Sequence, residues 1–435
     1  MTTKPDASTA GLPGSAPQPL SAGGRYLIVV TAFLGWMFAG VQFSITSLAM
    51  RSAAIDLLQS TNEALVGRWF AWYVCAFLFG AAAGGWLFGR LGDRFGRVRG
   101  MGWSILCLSI FSGLTWWAQS PFELLVLRFL TCLGIGGMWP NGVAIVSEAW
   151  SDLSRPILAG IMGTAANVGL LLMAWTATGV EITPETWRWV MVVGASPVVL
   201  GLFVLAAVPE SPRWLAQRRV PRTDSGKPST ATAEVFRPPL RRLTLIGIAL
   251  GTVPLLGGWG ASNWMIPWAG EAGAAADPPD PFLKAWVQYY RSLTGTIGSL
   301  LGGVIASLVG RRRTYFLMSL GALFSSQYMF WLLIPTDDTF LIWAAALGFF
   351  SGVYFGWLPL FLPELFPTAA RSTGAGVSFN FGRILSAVAV LLAGWLIAYL
   401  DGDYARIGRV TSLIYAVGMV VICFAPVSSD HRLRD

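Results

Sequence analysis

The chain has 435 residues, of which 54% are hydrophobic and only 12% charged. Soluble domains carry about 25% charged residues, so this composition, with a mean hydropathy of +0.60, excludes a soluble globular, disordered or fibrous protein. The net charge is +8, but the arginines cluster in loops between apolar runs, which speaks for membrane topology and against a nucleic-acid partner.

Residues 1–24 are rich in Pro, Gly, Ser and Ala and read as a disordered tail. About 20 apolar residues cross a bilayer as a helix. The first apolar run, 26–50, is too long for the core of a secretory leader and reads as a retained span. Further runs follow near 67–88, 101–119, 122–147, 157–179 and 187–208. A polar stretch over 209–242 interrupts them, and six more lie near 243–268, 286–309, 315–334, 340–363, 373–399 and 408–426. The expected fold is an all-α membrane protein with twelve transmembrane helices in two six-helix halves. The halves cover 25–208 and 243–426, joined by a basic linker at 209–242 and followed by a short tail at 427–435.

Charge orients these spans. Arg90, Arg94, Arg97 and Arg99 follow the second, Arg213 through Arg242 fill the linker, and Arg311, Arg312 and Arg313 follow the eighth. The opposite loops carry Glu181, Glu185, Asp277, Asp280, Asp337, Asp338, Asp401 and Asp403. The basic loops are expected in the cytoplasm; with an even span count both termini join them, in a cytoplasmic membrane.

Cys75, Cys107, Cys132 and Cys423 all fall inside apolar runs, a pattern of neither a disulfide framework nor a zinc site. The single histidine, His431, sits in the C-terminal tail, which leaves no histidine catalysis or intramembrane histidine relay. No phosphate loop ending in Gly-Lys-Ser/Thr occurs. The chain therefore reads as no enzyme and no ATP-driven pump, with no cofactor and no metal.

The halves repeat. Gly89, Asp93, Gly96, Arg97 and Arg99 recur 214 positions later as Gly303, Ser307, Gly310, Arg311 and Arg313. Glu148, Arg155 and Gly160 recur 216 positions later as Glu364, Arg371 and Gly376. A duplicated six-span unit places a solute site near the bilayer midplane, between the halves.

The run from Gly85 to Arg99 resembles the loop 2–3 motif of the major facilitator superfamily. Pro209-Glu210-Ser-Pro-Arg213 and the paired Glu-six-Arg motifs resemble its sugar porter branch, and the spans around Asn263 and Arg383 resemble its bacterial organic-acid and sialate-type symporters. The resemblance implies a gating lattice of Asp93, Arg97, Glu148, Arg155, Glu210, Arg213, Arg311, Glu364 and Arg371. That lattice would hold the cytoplasmic side shut and break when it opens. Ser307 stands where an acid is usual, and Ala39 and Gln42 stand where these symporters often carry span 1 acids, which weakens the expectation of proton coupling there.

Arg383 lies about ten residues into the eleventh span. Arginine at such depth costs roughly 2.5–3.5 kcal/mol on insertion scales, so it must face the solute cavity or a protein partner. Its planar fork suits an anionic group, with a bond to backbone carbonyls as the structural alternative; Asn380 shares its face one turn earlier. Arg128, in the fourth span, is a candidate coupling or pinning residue. Trp36, Gln42, Trp139, Asn141, Asn263, Trp264, Tyr354 and Trp357 are candidates to line the cavity, where aromatic faces and a few amides suit an organic solute. The expected function is alternating-access transport of a small organic anion, such as a carboxylate or sugar acid, by a monomer. A neutral sugar or polyol carrier and a non-transporting nutrient sensor are the alternatives.

Overall fold

The computed structural model describes residues 20–150, 155–211, 214–215, 234–367 and 370–426. Its regular structure is helical. The segments are α1 (Ala22–Leu58), α2 (Glu63–Phe95), α3 (Arg97–Leu114), α4 (Pro121–Ala149), α5 (Arg155–Ala177), α6 (Trp189–Ala207), α7 (Arg241–Ala275), α8 (Leu283–Val309), α9 (Arg311–Leu332), α10 (Phe340–Glu364), α11 (Arg371–Tyr399) and α12 (Tyr404–Cys423). Among the described residues, ten helices are long and apolar enough to cross a membrane. The other two are α5, whose apolar part Met162–Ala177 is shorter, and α9, which opens on three arginines.

Several helices outrun their apolar runs, because polar turns continue beyond the hydrocarbon and local caps decide where they stop. Asn62 accepts the Leu65 amide at 3.1 Å to start α2, and Ser120 accepts the Glu123 amide at 3.2 Å to start α4. Helices α2 and α8 end at Gly96 and Gly310, with φ of +121° and +97°. Side chains are rarely accommodated there, which explains why both repeats keep glycine.

Several helix pairs pack at backbone distance, α2–α4 and α8–α10 among them. A Cβ on Gly84 of α2 would stand 1.9 Å from the Leu133 carbonyl oxygen of α4, and one on Gly298 of α8 would stand 2.4 Å from that of Phe349 of α10. Between helices in lipid, where apolar burial supplies no drive, such close approach is the main source of association. Large apolar side chains such as Trp86, Phe122, Val199, Leu308 and Tyr399 are left exposed on outer faces, as expected for contact with lipid tails.

Helix α7 is not uniform. Its α-helix gives way to a π turn over Gly257–Ala261 and a 3-10 turn over Ser262–Trp264 before resuming at Met265. Backbone groups released by such a break need partners inside the protein.

Gly84→Ala should destabilise the purified protein by about 1–3 kcal/mol through overpacking. Gly89→Ala, where nothing lies within 4 Å of the new methyl, should be near neutral. Thermal midpoints in detergent check both, and equal midpoints would refute the close-approach account.

Candidate functional site

The two groups of six helices meet along α2–α11 and α5–α8. At the end opposite the basic loops they are tied together by polar bonds. Lys284 of α8 donates to Ser52 Oγ of α1 at 2.8 Å and to the Ile182 carbonyl at 2.5 Å. Glu63 of α2 pairs with Arg51 of α1 and accepts Tyr404 Oη of α12 at 2.8 Å. Deeper in, Ser47 Oγ of α1 donates to Asn263 Oδ1 of α7 at 2.7 Å.

The basic end is different. Arg97 pairs with Asp93 and stands 4.0 Å from Glu148, while Glu210 accepts the Arg97 and Val98 amides at 3.0 and 3.1 Å, capping α3. Ser211 donates its hydroxyl to Glu148. In the second group Arg311 pairs with Glu364 at 3.3 Å. Ser307 bonds only to its own helix, at the Gly303 carbonyl. Among the described residues every one of these pairs stays within its own group of six, and no ion pair crosses between the groups here. Arg213 lies outside the described residues, as do the side chains of Arg155 and Arg371.

The candidate lining residues divide sharply. Gln42 is fully buried among the first six helices: Nε2 donates to Ser112 Oγ at 2.8 Å and to the Gly194 carbonyl at 3.2 Å. Its Oε1 accepts Arg128 Nη1 at 2.9 Å, and Thr46 Oγ1 accepts Nη2 at 2.6 Å. An amide and a hydroxyl thus hold the buried Arg128 where a carboxylate was looked for. Asn141 pins α4 to α2 through the Phe88 carbonyl at 3.0 Å. Tyr354 shares a 2.6 Å bond with Ser319, and Trp357 donates to the Arg311 carbonyl at 2.9 Å, both within the last six helices. Trp264 is buried and donates to the Gly260 carbonyl at 2.8 Å.

A track of rings does bridge the groups. Trp36 packs on Trp139 with centroids 5.0 Å apart and on Phe43 at 6.0 Å. Phe43 and Phe77 then meet Trp259 of α7 at 5.5 and 4.4 Å. Of the candidates, Trp36, Trp139 and Asn263 belong to this interface, as do Trp264, whose ring lies 5.6 Å from that of Phe70 of α2, and Asn380; Phe43, Phe77 and Trp259 were not singled out from sequence.

Arg383 is 8% exposed, and its guanidinium lies 4.8 Å over the Phe379 ring. Among the described residues it makes no hydrogen bond or ion pair. Asn380 faces α2 beside Gly85. Sequence reasoning also missed Arg291 of α8, which donates to the Gly258 carbonyl at 3.1 Å, Ser262 Oγ at 3.2 Å and Asn263 Oδ1 at 3.4 Å. It is the cation that holds the α7 break. Lys284, Gln288 and Arg291 recur at spacings of four and three, a single helix face, and that spacing was the available signal.

Removing the Gln42 amide by Gln42→Ala strips Arg128 of one charge-assisted bond, a loss of about 1.5–3 kcal/mol. The double variant with Arg128→Ala should recover part of it, giving a coupling of at least about 1 kcal/mol. Chemical denaturation in detergent measures the cycle, and additive effects would dissolve the pair.

The Major Facilitator Superfamily profile matches residues 25–389. The cis,cis-muconate transport protein of Acinetobacter baylyi is 28% identical over 84% of this chain and 86% of its own. The niacin transporter NiaP of the same species is 24% identical over 94% of this chain and 96% of its own. Among solved structures, the partially occluded inward-open xylose transporter XylE of E. coli superposes with a TM-score of 0.70 at 18% identity, covering 95% of this chain and all of that one; at that identity the likeness is one of fold. With a profile match over most of its length, a multi-span helical body and closely packed glycine helix pairs, the chain belongs to the Major Facilitator Superfamily and is a membrane transport protein for a small organic solute.

Proposed function

We propose that the protein carries a small organic anion across a cytoplasmic membrane by alternating access, with twelve spans in two rocking halves and both termini cytoplasmic. In this reading α5 and α9 are the fifth and ninth spans. The observation that carries the substrate class is Arg383, a buried guanidinium with a ring beneath it and no carboxylate or carbonyl among the described residues to offset its charge. A charge so placed is tolerated when something compensates it, and a transported carboxylate does so. The other interior charge agrees: among the described residues the buried Arg128, Lys284 and Arg383 and the half-buried Arg291 have no carboxylate in an ion pair, whereas Glu63 is already paired with Arg51. The ring track from Trp36 to Trp259 gives the organic part of the solute a flat apolar surface. The relatives named for muconate and niacin, both carboxylic acids, support the same class.

The bonds across the non-basic end, and their absence among described residues at the basic end, fit an inward-facing arrangement. The Asp93–Arg97–Glu148 and Arg311–Glu364 pairs would then be separated halves of the gate, joined when the protein faces outward. Among the described residues no acid of α1 pairs with Arg128, since Gln42 and Thr46 hold it. Proton coupling through that helix therefore has no carrier, and exchange down the solute gradient is the working mode.

Two measurements check this reading. Arg383→Gln should weaken binding of a carboxylate substrate by about tenfold or more, the equivalent of one charge-assisted hydrogen bond, and Arg383→Lys should fall between; calorimetry on monodisperse protein with a panel of acids and sugars reads it. An unchanged dissociation constant in Arg383→Gln would turn the assignment to a neutral sugar or polyol. Lys284→Met should loosen the closed end and raise labelling of single cysteines placed near Ser52 in a background lacking native cysteines, while unchanged labelling would show that the latch does not set the equilibrium.

A further inference from the structure

Arg291 has a role that holding the α7 break does not exhaust. Its guanidinium makes three bonds, all to neutral oxygens, and the one to Asn263 is stretched to 3.4 Å. No ion pair to it occurs among the described residues, so its charge stays uncompensated. Beside it Asn263 is 1% exposed, yet its Nδ2 donor has no partner. Leaving a buried amide donor unmade costs about 1–3 kcal/mol, so an occupant that accepts from it is favoured. One turn along α8, the Gln288 Oε1 acceptor is also unpartnered, which a water or hydroxyl accompanying an anion satisfies.

Two of the other three interior cations named above are differently placed. Arg128 is enclosed within the first six helices by Gln42 and Thr46, and Lys284 is engaged by Ser52 and Ile182 at the closed end. Of the two that remain, Arg291 bonds α7 directly, and Arg383 follows the residue at which α11 packs on α7. Gly382, next to Arg383, packs against Gly251 and Thr252, whereas Arg291 holds Gly258. Six residues of helix separate those levels, about 9 Å at 1.5 Å per residue. Trp259, the last ring of the track, stands beside the upper level.

We propose that Arg291, with the free Nδ2 of Asn263, is a second anion-recognising subsite, and that the solute is a dianion spanning from Arg383 to Arg291. The proposal rests on the organic-anion reading and sharpens it. Two fixed cations at different heights admit a molecule with an acid at each end and an apolar middle. A monoanion would leave one of them uncompensated in a water-poor site.

The test is calorimetric titration of the full-length protein with succinate, glutarate and adipate and with the monomethyl ester of each. At least one diacid should bind tenfold or more tightly than its half-ester. Arg291→Gln should erase that advantage, lowering diacid affinity tenfold or more beyond any change in half-ester affinity. Asn263→Asp keeps an oxygen for Ser47 and supplies Arg291 with a carboxylate, so it should erase the advantage as well, which keeps the test decisive if Arg291→Gln does not fold. Half-esters binding as well as every diacid, or an advantage that survives Asn263→Asp, would overturn the second subsite while leaving Arg383 as a monoanion site. Loss of half-ester binding in Arg383→Gln upholds that underlying reading, and failure of every acid to bind the wild-type protein removes both.

Discussion

Charge in hydrocarbon must be answered by protein, and this requirement organises the interior of the molecule. Arg51 is answered by Glu63, Arg128 by Gln42 and Thr46, and Lys284 by Ser52 and a carbonyl of the loop before α6. Each answer fixes the rotation of a helix that has little other directional information, since lipid tails are as apolar as leucine. The first six helices owe their mutual register to the Arg128 cluster as much as to glycine contacts.

Bonding across one end, and the lack of a crossing ion pair among the described residues at the other, follow from the same accounting of partners. The bonds of Lys284, Tyr404 and Asn263 each have one end in the first six helices and one in the last six. The carboxylates at the basic end find their partners locally: Glu210 caps α3, Glu148 takes a serine hydroxyl, and Glu364 takes Arg311 with Oε1 while its Oε2 is left without a hydrogen-bond partner. Neither set is strong pair by pair. On the proposed alternating-access reading, exchanging one for the other is a small free-energy change, as populating two conformations requires.

The helical body and its repeat were legible in the sequence because they rest on patterns that survive without coordinates. Gly96 and Gly310 advertise a backbone conformation, and Glu148 and Glu364 advertise equivalent places. Asn141 and Trp357 are also 216 positions apart, and both tie a helix to the backbone of a neighbour; the repeat could have removed them from the cavity list. Gln42 was harder, because a span's rotation about its axis depends on packing that composition does not encode. Lys284 falls just outside the apolar run at 286–309, so the polar stripe it begins, through Gln288 to Arg291, does not stand out from hydropathy. The α7 break left only a glycine-rich trace from Gly257 to Gly260, which by itself marks many other things.

On the proposed reading, in which Arg383 and Arg291 are fixed cations of an alternating cavity, their charge has an electrical consequence. When the cavity opens to one side, Arg383 and Arg291 lie near that side's potential, and when it opens to the other they lie near the other. A charge carried across the whole field is worth about 2.3 kcal/mol per 100 mV. An anion that neutralises the arginines removes most of that work, so the loaded protein reorients almost without regard to voltage. The empty protein, still positive at its centre, does not. Membrane potential would then act chiefly on the return of the unloaded carrier, setting the direction in which the cycle runs fastest without any ion being coupled to it.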